Sequence, residues 1–119
     1  MRSDPATGAL RDMAHHVDLA LNFSADLDYE AFSADLRTIY AVTRCLEIIS
    51  EASRRLPDEM KARHPSIAWK EMAGAGNVYR HDYGEVAPSY VWVTVRDHLL
   101  PLRAAIEHEL AAQVPPPGP

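Results

Sequence analysis

Leu36-Arg-Thr-Ile39-Tyr-Ala-Val42-Thr-Arg44-Cys45-Leu46-Glu47-Ile-Ile49-Ser50-Glu51-Ala-Ser53-Arg54-Arg55-Leu56 is the stretch from which the fold is read. Leu36, Ile39, Val42, Leu46, Ile49, Ser53 and Leu56 step by three and four residues, which lines them up along one side of an α-helix and leaves the charged residues on the other. Pro57 follows and sets the end of this helix, because proline has no N–H to continue the ladder. The pattern recurs on either side. Leu10, Met13, Ala14, Val17 and Leu21 form a stripe in a first helix, for which Asp4 is a cap and Pro5 the first helical residue. Asp26 and Asp28 separate that helix from a short turn over Tyr29 to Phe32. Beyond Pro57, a helical turn is expected over Asp58 to Arg63 before Pro65. A further helix is expected from Ser66 or Trp69 to a stop at Gly84. The last helix starts at Pro88 or Ser89, turns Trp92, Val95, Leu99, Leu102 and Ile106 inward, and is kinked by Pro101.

No period-two run flanked by hairpin turns interrupts this series, so the chain is expected to be all-α, an antiparallel up-and-down bundle of four to five helices. Residues 1–112 form one domain in this reading, and 113–119, ending Val-Pro-Pro-Pro-Gly-Pro, a Pro-rich flexible tail. At 119 residues and 47% hydrophobic composition the chain is large enough to bury about two-thirds of its unfolded surface. The absence of an apolar run near ~20 residues excludes a membrane span. The lone Cys45 excludes an internal disulfide and a multi-cysteine zinc site, which fits a reducing, cytoplasmic setting. The N-terminus shows no hydrophobic stretch before a cleavage site, so no secretory signal is expected.

The net charge is −5, unevenly spread. Between Arg54 and His81 six cations face three acids, a local +3, leaving −8 on the remainder. Such a basic middle lets a polyanion approach one place; a solvated charged surface is the alternative.

The chemistry-bearing stretch is Trp69-Lys-Glu-Met72-Ala73-Gly74-Ala75-Gly76-Asn77-Val-Tyr79-Arg80-His81-Asp82-Tyr83-Gly84. Helical register puts Asn77, Arg80 and His81 on one face, and Tyr83 falls in the last turn. An imidazole can move protons near neutral pH, and guanidinium and amide groups hold phosphate oxygens, so the set suits phosphodiester chemistry. A helix-end surface or capping role is the alternative for His81. Asp12 and His15 have a metal-like spacing, but no second motif completes a site, and no metal ligand set is expected. His16, His64, His98 and His108 read as surface residues and Cys45 as a packing residue. Glu47 and Glu51 either face the site or pair with Arg44, Arg54 or Arg55.

The tryptophan, Met72-Ala73-Gly74, Asn77, His81 and Tyr83, followed by Trp92 and Leu99-Leu-Pro101-Leu102, together with Arg44-Cys45-Leu46-Glu47-Ile-Ile49-Ser50-Glu51-Ala52 upstream, resembles the HepT-like branch of the HEPN superfamily. The resemblance runs from the first helix to the last. It implies a homodimer that sets two copies of the motif in a shared cleft. It also implies a metal-independent, cofactor-free endoribonuclease acting as the toxin of a type VII toxin–antitoxin pair. The implied antitoxin is a minimal nucleotidyltransferase, MNT, that attaches AMP to the motif tyrosine, here Tyr83. The family motif reads arginine, four residues, histidine, any residue, tyrosine; here His81 matches the histidine, Tyr83 the tyrosine and Asn77 the polar residue that usually follows the arginine, while Gly76 occupies the arginine's place. Losing such a cation costs on the order of 10²- to 10³-fold in rate. Arg80, four residues on and about 40° around the helix, is the candidate replacement. The alternative reading is a catalytically inactive helical module that binds a nucleotidyltransferase.

Overall fold

A computed structural model of the chain describes residues 5–81 and 87–113, the side chains of 77–81 excepted. Its regular elements are all helical: α1 (Pro5–Ser24), α2 (Tyr29–Ala34), α3 (Leu36–Ser53), α4 (Asp58–Ala62), α5 (Trp69–His81), α6 (Pro88–Val93) and α7 (Leu99–Gln113), with a π-helical segment, Thr94–His98, joining the last two. Among the described residues none of these helices is long and apolar enough to cross a membrane. The expected all-α bundle is what forms.

α3 is the central element, packed on α1 along one side and on α5 along the other, while α7 closes on α1. Long-range side-chain pairs fix the directions. Thr7 near the start of α1 hydrogen-bonds Gln113 at the end of α7, and Arg103 pairs with Asp18 at 3.0 Å, so α1 and α7 run antiparallel. Arg55, just past α3, reaches back to Asp12 of α1 at 3.1 Å, and Arg54 reaches the early α5 residue Ala73, so both neighbours of α3 run against it.

The periodic stripes supply the core. Leu10, Met13 and Val17 of α1 meet Ile39, Val42, Leu46 and Ile49 of α3, with Val95, Leu99, Leu102 and Ile106 closing the far side. Fully burying one such side chain contributes about 1.5–3 kcal/mol, so these stripes hold the bundle together. Leu36 departs from its expected inward place and is 60% exposed. It is the first residue of α3, a turn before that helix meets the bundle.

The ends are set by side chains. Asp28 caps α2 by accepting from the Ala31 amide at 2.8 Å. Asp35 caps α3, accepting from the Thr38 amide at 3.2 Å and the Thr38 hydroxyl at 2.8 Å, which lowers its pKa. The Tyr29–Phe32 turn is thus a short helix in its own right. α3 ends at Ser53 rather than at Pro57; a turn intervenes, Leu56 stays in the core, and Pro57 becomes the residue before α4. The expected cap Asp4, the stop at Gly84 and residues 114–119 of the expected tail lie outside the described residues, while Gln113, the first residue of that tail, is the last residue of α7. Arg96 covers the open end of α1 by donating to the carbonyls of Ser24 (3.3 Å) and Leu27 (2.8 Å), its guanidinium stacked 4.1 Å from the Trp92 ring centroid.

Pro101 falls in the first turn of α7, and the helical irregularity lies just ahead of it, at Thr94–His98. Proline cannot donate to the carbonyl four residues earlier, that of Asp97, and crowds it; widening the preceding turn relieves both problems. The irregularity found near the expected kink is this π-helical segment.

Candidate functional site

The motif helix is held by one stripe of α3. Ser50, buried on the face turned to α5, donates its hydroxyl to the Ala73 carbonyl at 3.1 Å and accepts the Gly76 amide hydrogen at 2.9 Å. Arg54, one turn on, donates to the same Ala73 carbonyl through Nε at 3.1 Å and Nη2 at 2.6 Å. One carbonyl thus accepts three donors from α3 and the residue that follows it, one of them neutral and two carrying the guanidinium charge, the stronger class of hydrogen bond. The turn of α5 from Ala73 to Gly76 is clamped to the central helix, and Gly76 is buried there.

The helix continues from this clamp through Asn77, Arg80 and His81, and its register sets those three positions on one side. Tyr83 and the side chains of Asn77, Arg80 and His81 lie outside what is described. Glu47 pairs with Arg44 at 2.8 Å, and Glu51 is exposed. Three of the six cations of the basic middle are committed to structure: Arg54 to Ala73, Arg55 to Asp12 and Arg63 to Glu109. Cys45 is buried, and desolvation raises its pKa, which suits a packing residue and not a nucleophile.

Beside α5 runs an apolar groove of about 600 Å³, walled by Leu46 and Ile49 of α3, Met72 and Ala75 of α5, and Leu99 and Leu102 of α7. At its rim the α6–π–α7 rod exposes Tyr90 and Val93, and Leu100 further along the rod is 57% exposed.

A second polar cluster was not foreseen from sequence. Glu109 of α7 is buried, takes two hydrogen bonds from Arg63 (2.6 and 3.2 Å) and sits 2.6 Å from Nε2 of His64. Its pKa falls to about 2, first because of the Arg63 hydrogen bond and then because of His64. His108 stands edge-on to His64, ring centroids 5.5 Å apart. His64, expected at the surface, is thus mostly covered, while His108 is exposed as expected. Glu109 occupies an inward position on α7 one turn after Ile106, a periodicity that could have flagged it. Asp12 pairs with Arg55, and its carbonyl lies 2.7 Å from Nδ1 of His16, in keeping with a structural role.

A family model described as ribonuclease HepT-like matches residues 13–109. The chain is 37% identical over 98 residues to a probable ribonuclease HepT of Thermococcus cleftensis, covering 82% of this chain and 89% of that protein. It is 35% identical over 98 residues to a candidate RNase of Methanocaldococcus jannaschii, covering 82% and 84%. A candidate RNase of Caldanaerobacter subterraneus is 32% identical over 84 residues, 71% of this chain and 75% of the relative. No solved structure matches the chain significantly. The matched segment runs from α1 into α7 and contains the whole of the clamped motif helix, and the chain belongs to the HepT-like ribonuclease family.

Proposed function

We propose that the chain is an endoribonuclease and the toxin of a toxin–antitoxin pair. The observation that carries the reading is the clamp of Ser50 and Arg54 on α5, within a segment whose relatives are named as ribonucleases. It gives the helix of Asn77, Arg80 and His81 a fixed seat on α3, as a preorganised site requires.

The reaction is transesterification within RNA. The ribose 2′-oxygen attacks the adjacent phosphorus, the bond to the 5′-oxygen breaks, and the products are a 2′,3′-cyclic phosphate and a 5′-hydroxyl. His81 assists the transfer of the 2′-hydroxyl proton and of the proton taken up by the leaving oxygen. Asn77 and Arg80 hold the phosphate oxygens, Arg80 supplying the cation that Gly76 lacks. No step calls for a metal or cofactor. Two copies of the chain form the cleft; the exposed Tyr90, Val93 and Leu100 on the last rod support an apolar dimer contact. Tyr83 is the acceptor of AMP from an MNT nucleotidyltransferase antitoxin, the added phosphate placing negative charge beside the motif.

Purified wild-type protein incubated with RNA in a chelator should generate cyclic-phosphate ends, and His81→Ala should abolish them. Gly76 favours a second reading, a catalytically silent module that binds the nucleotidyltransferase. That reading predicts antitoxin binding without cleavage, and arrested growth on expression of Gly76→Arg where the wild type is harmless. With the antitoxin and ATP, an AMP-sized mass gain on Tyr83 is expected; an unmodified Tyr83 would remove that part of the proposal.

A further inference from the structure

We infer that His64, His108 and Glu109 form a site for a divalent transition-metal ion, lying between the α4–α5 connection and α7 and separate from the RNA chemistry of α5. Their nearest ligand atoms, one per residue, all lie within 4.8 Å of one another, and among the described residues this is the one group of three or more His, Cys, Asp or Glu side chains so arranged. In a tetrahedral site with bonds of about 2.0–2.2 Å, ligand atoms are roughly 3.4 Å apart. The cluster reaches that spacing through modest side-chain movement, for which the exposed His108 has room.

The chemistry of the donors selects the ion. Two imidazoles and one carboxylate make a set used by zinc, with a fourth position left to water. Magnesium and calcium seek shells of oxygen, which this cluster does not offer. Arg63 plays the outer role: its two hydrogen bonds at 2.6 and 3.2 Å fix the plane of the Glu109 carboxylate, the kind of support that holds metal ligands in place. The burial of Glu109 keeps water from competing for it.

His64 and Glu109 already share a hydrogen at a separation of 2.6 Å. A metal ion takes the place of that hydrogen between Nε2 and Oε2. The displaced proton moves to Nδ1 of a neutral ring, or to water from a protonated one, and the two atoms part to about 3.4 Å. The ion would then pin the start of α5 to α7, because the Trp69 indole N–H donates to the His64 carbonyl at 3.0 Å and to that of Lys61 at 3.1 Å.

The test uses the untagged full chain, stripped with chelator and titrated with Zn²⁺ by calorimetry, with Co²⁺ as a spectroscopic probe. One Zn²⁺ per chain, the visible bands of tetrahedral Co²⁺, and a rise in Tm of several degrees with Zn²⁺ but not Mg²⁺ are expected. Because His108 is exposed, His108→Ala should fold with the Tm of the stripped wild type and bind Zn²⁺ roughly a hundredfold more weakly. Replacing His15 and His16 by alanine should leave binding unchanged. Equal affinity in wild type and His108→Ala, or loss of binding in the His15/His16 variant, would overturn the inference, as would absence of binding in the wild type. None of these outcomes depends on RNA cleavage.

Discussion

The Ser50 hydroxyl bridges two backbone groups of the neighbouring helix, accepting from Gly76 at 2.9 Å and donating to the Ala73 carbonyl at 3.1 Å. Ser50 is almost fully buried, so no water replaces the hydroxyl if it is removed. Ser50→Ala should lose about 1–2 kcal/mol of stability in urea unfolding. Arg54→Ala, at an exposed position, should lose less, because water can reach the Ala73 carbonyl in its place. A larger loss for Arg54→Ala would show that the guanidinium, not the hydroxyl, holds the motif helix on α3.

Glu109 titrates from about 2 in the folded chain against an ordinary value of 4.5. A carboxyl whose pKa falls on folding stabilises the fold above its unfolded pKa, and the gain is lost as pH drops through the folded value. The stabilisation from Glu109 is therefore complete above about pH 4.5 and fades between there and about pH 2. Glu109→Gln should be about 1–3 kcal/mol less stable than wild type at pH 7. The gap should narrow as pH falls through that window; a gap of constant size down to pH 2.5 would assign the effect to packing.

Helix content was legible because each stripe obeys one period. Leu10, Met13 and Val17, Ile39 to Ile49 and Val95 to Ile106 reach the core where their spacing puts them. What the spacing does not encode is partnership across the bundle. Arg63 and His64 lie 46 and 45 residues from Glu109, and Arg54 closes on a backbone carbonyl that carries no residue identity. His64 reads as a surface residue until α7 is laid beside it. Asp35 caps the helix that opens at Leu36 and the Thr38 hydroxyl doubles the cap, a pairing that the spacing of apolar residues does not encode. The resemblance to the family was legible in residue types along α5, while the seat of that helix on Ser50 was not.

Pro101 and the π-turn at Thr94–His98 make a further test of cause. If the missing N–H and ring crowding force the wider turn, Pro101→Ala restores a donor for the Asp97 carbonyl and lets α6 and α7 join as a regular helix. The expected gain is about 1–2 kcal/mol, the relief of the helix cost less the entropy that proline removes from the unfolded chain. Thermal unfolding reads the gain. Protection of the 94–98 amides in hydrogen exchange should rise with it; a destabilised variant would mean that the π-turn is set by its packing.

Arg80 stands four residues beyond Gly76 on α5, about 40° around the axis. If it supplies the charge that the glycine gave up, Arg80→Ala should lower RNA cleavage by about 10²- to 10³-fold. The loss should fall on kcat, because the negative charge to be stabilised grows as phosphorus becomes five-coordinate. Arg80→Lys keeps a positive charge but not the planar fork, so it should recover part of the rate and not all of it. A rise in KM at unchanged kcat would make Arg80 an RNA-binding residue only. Unchanged cleavage in Arg80→Ala would end its role.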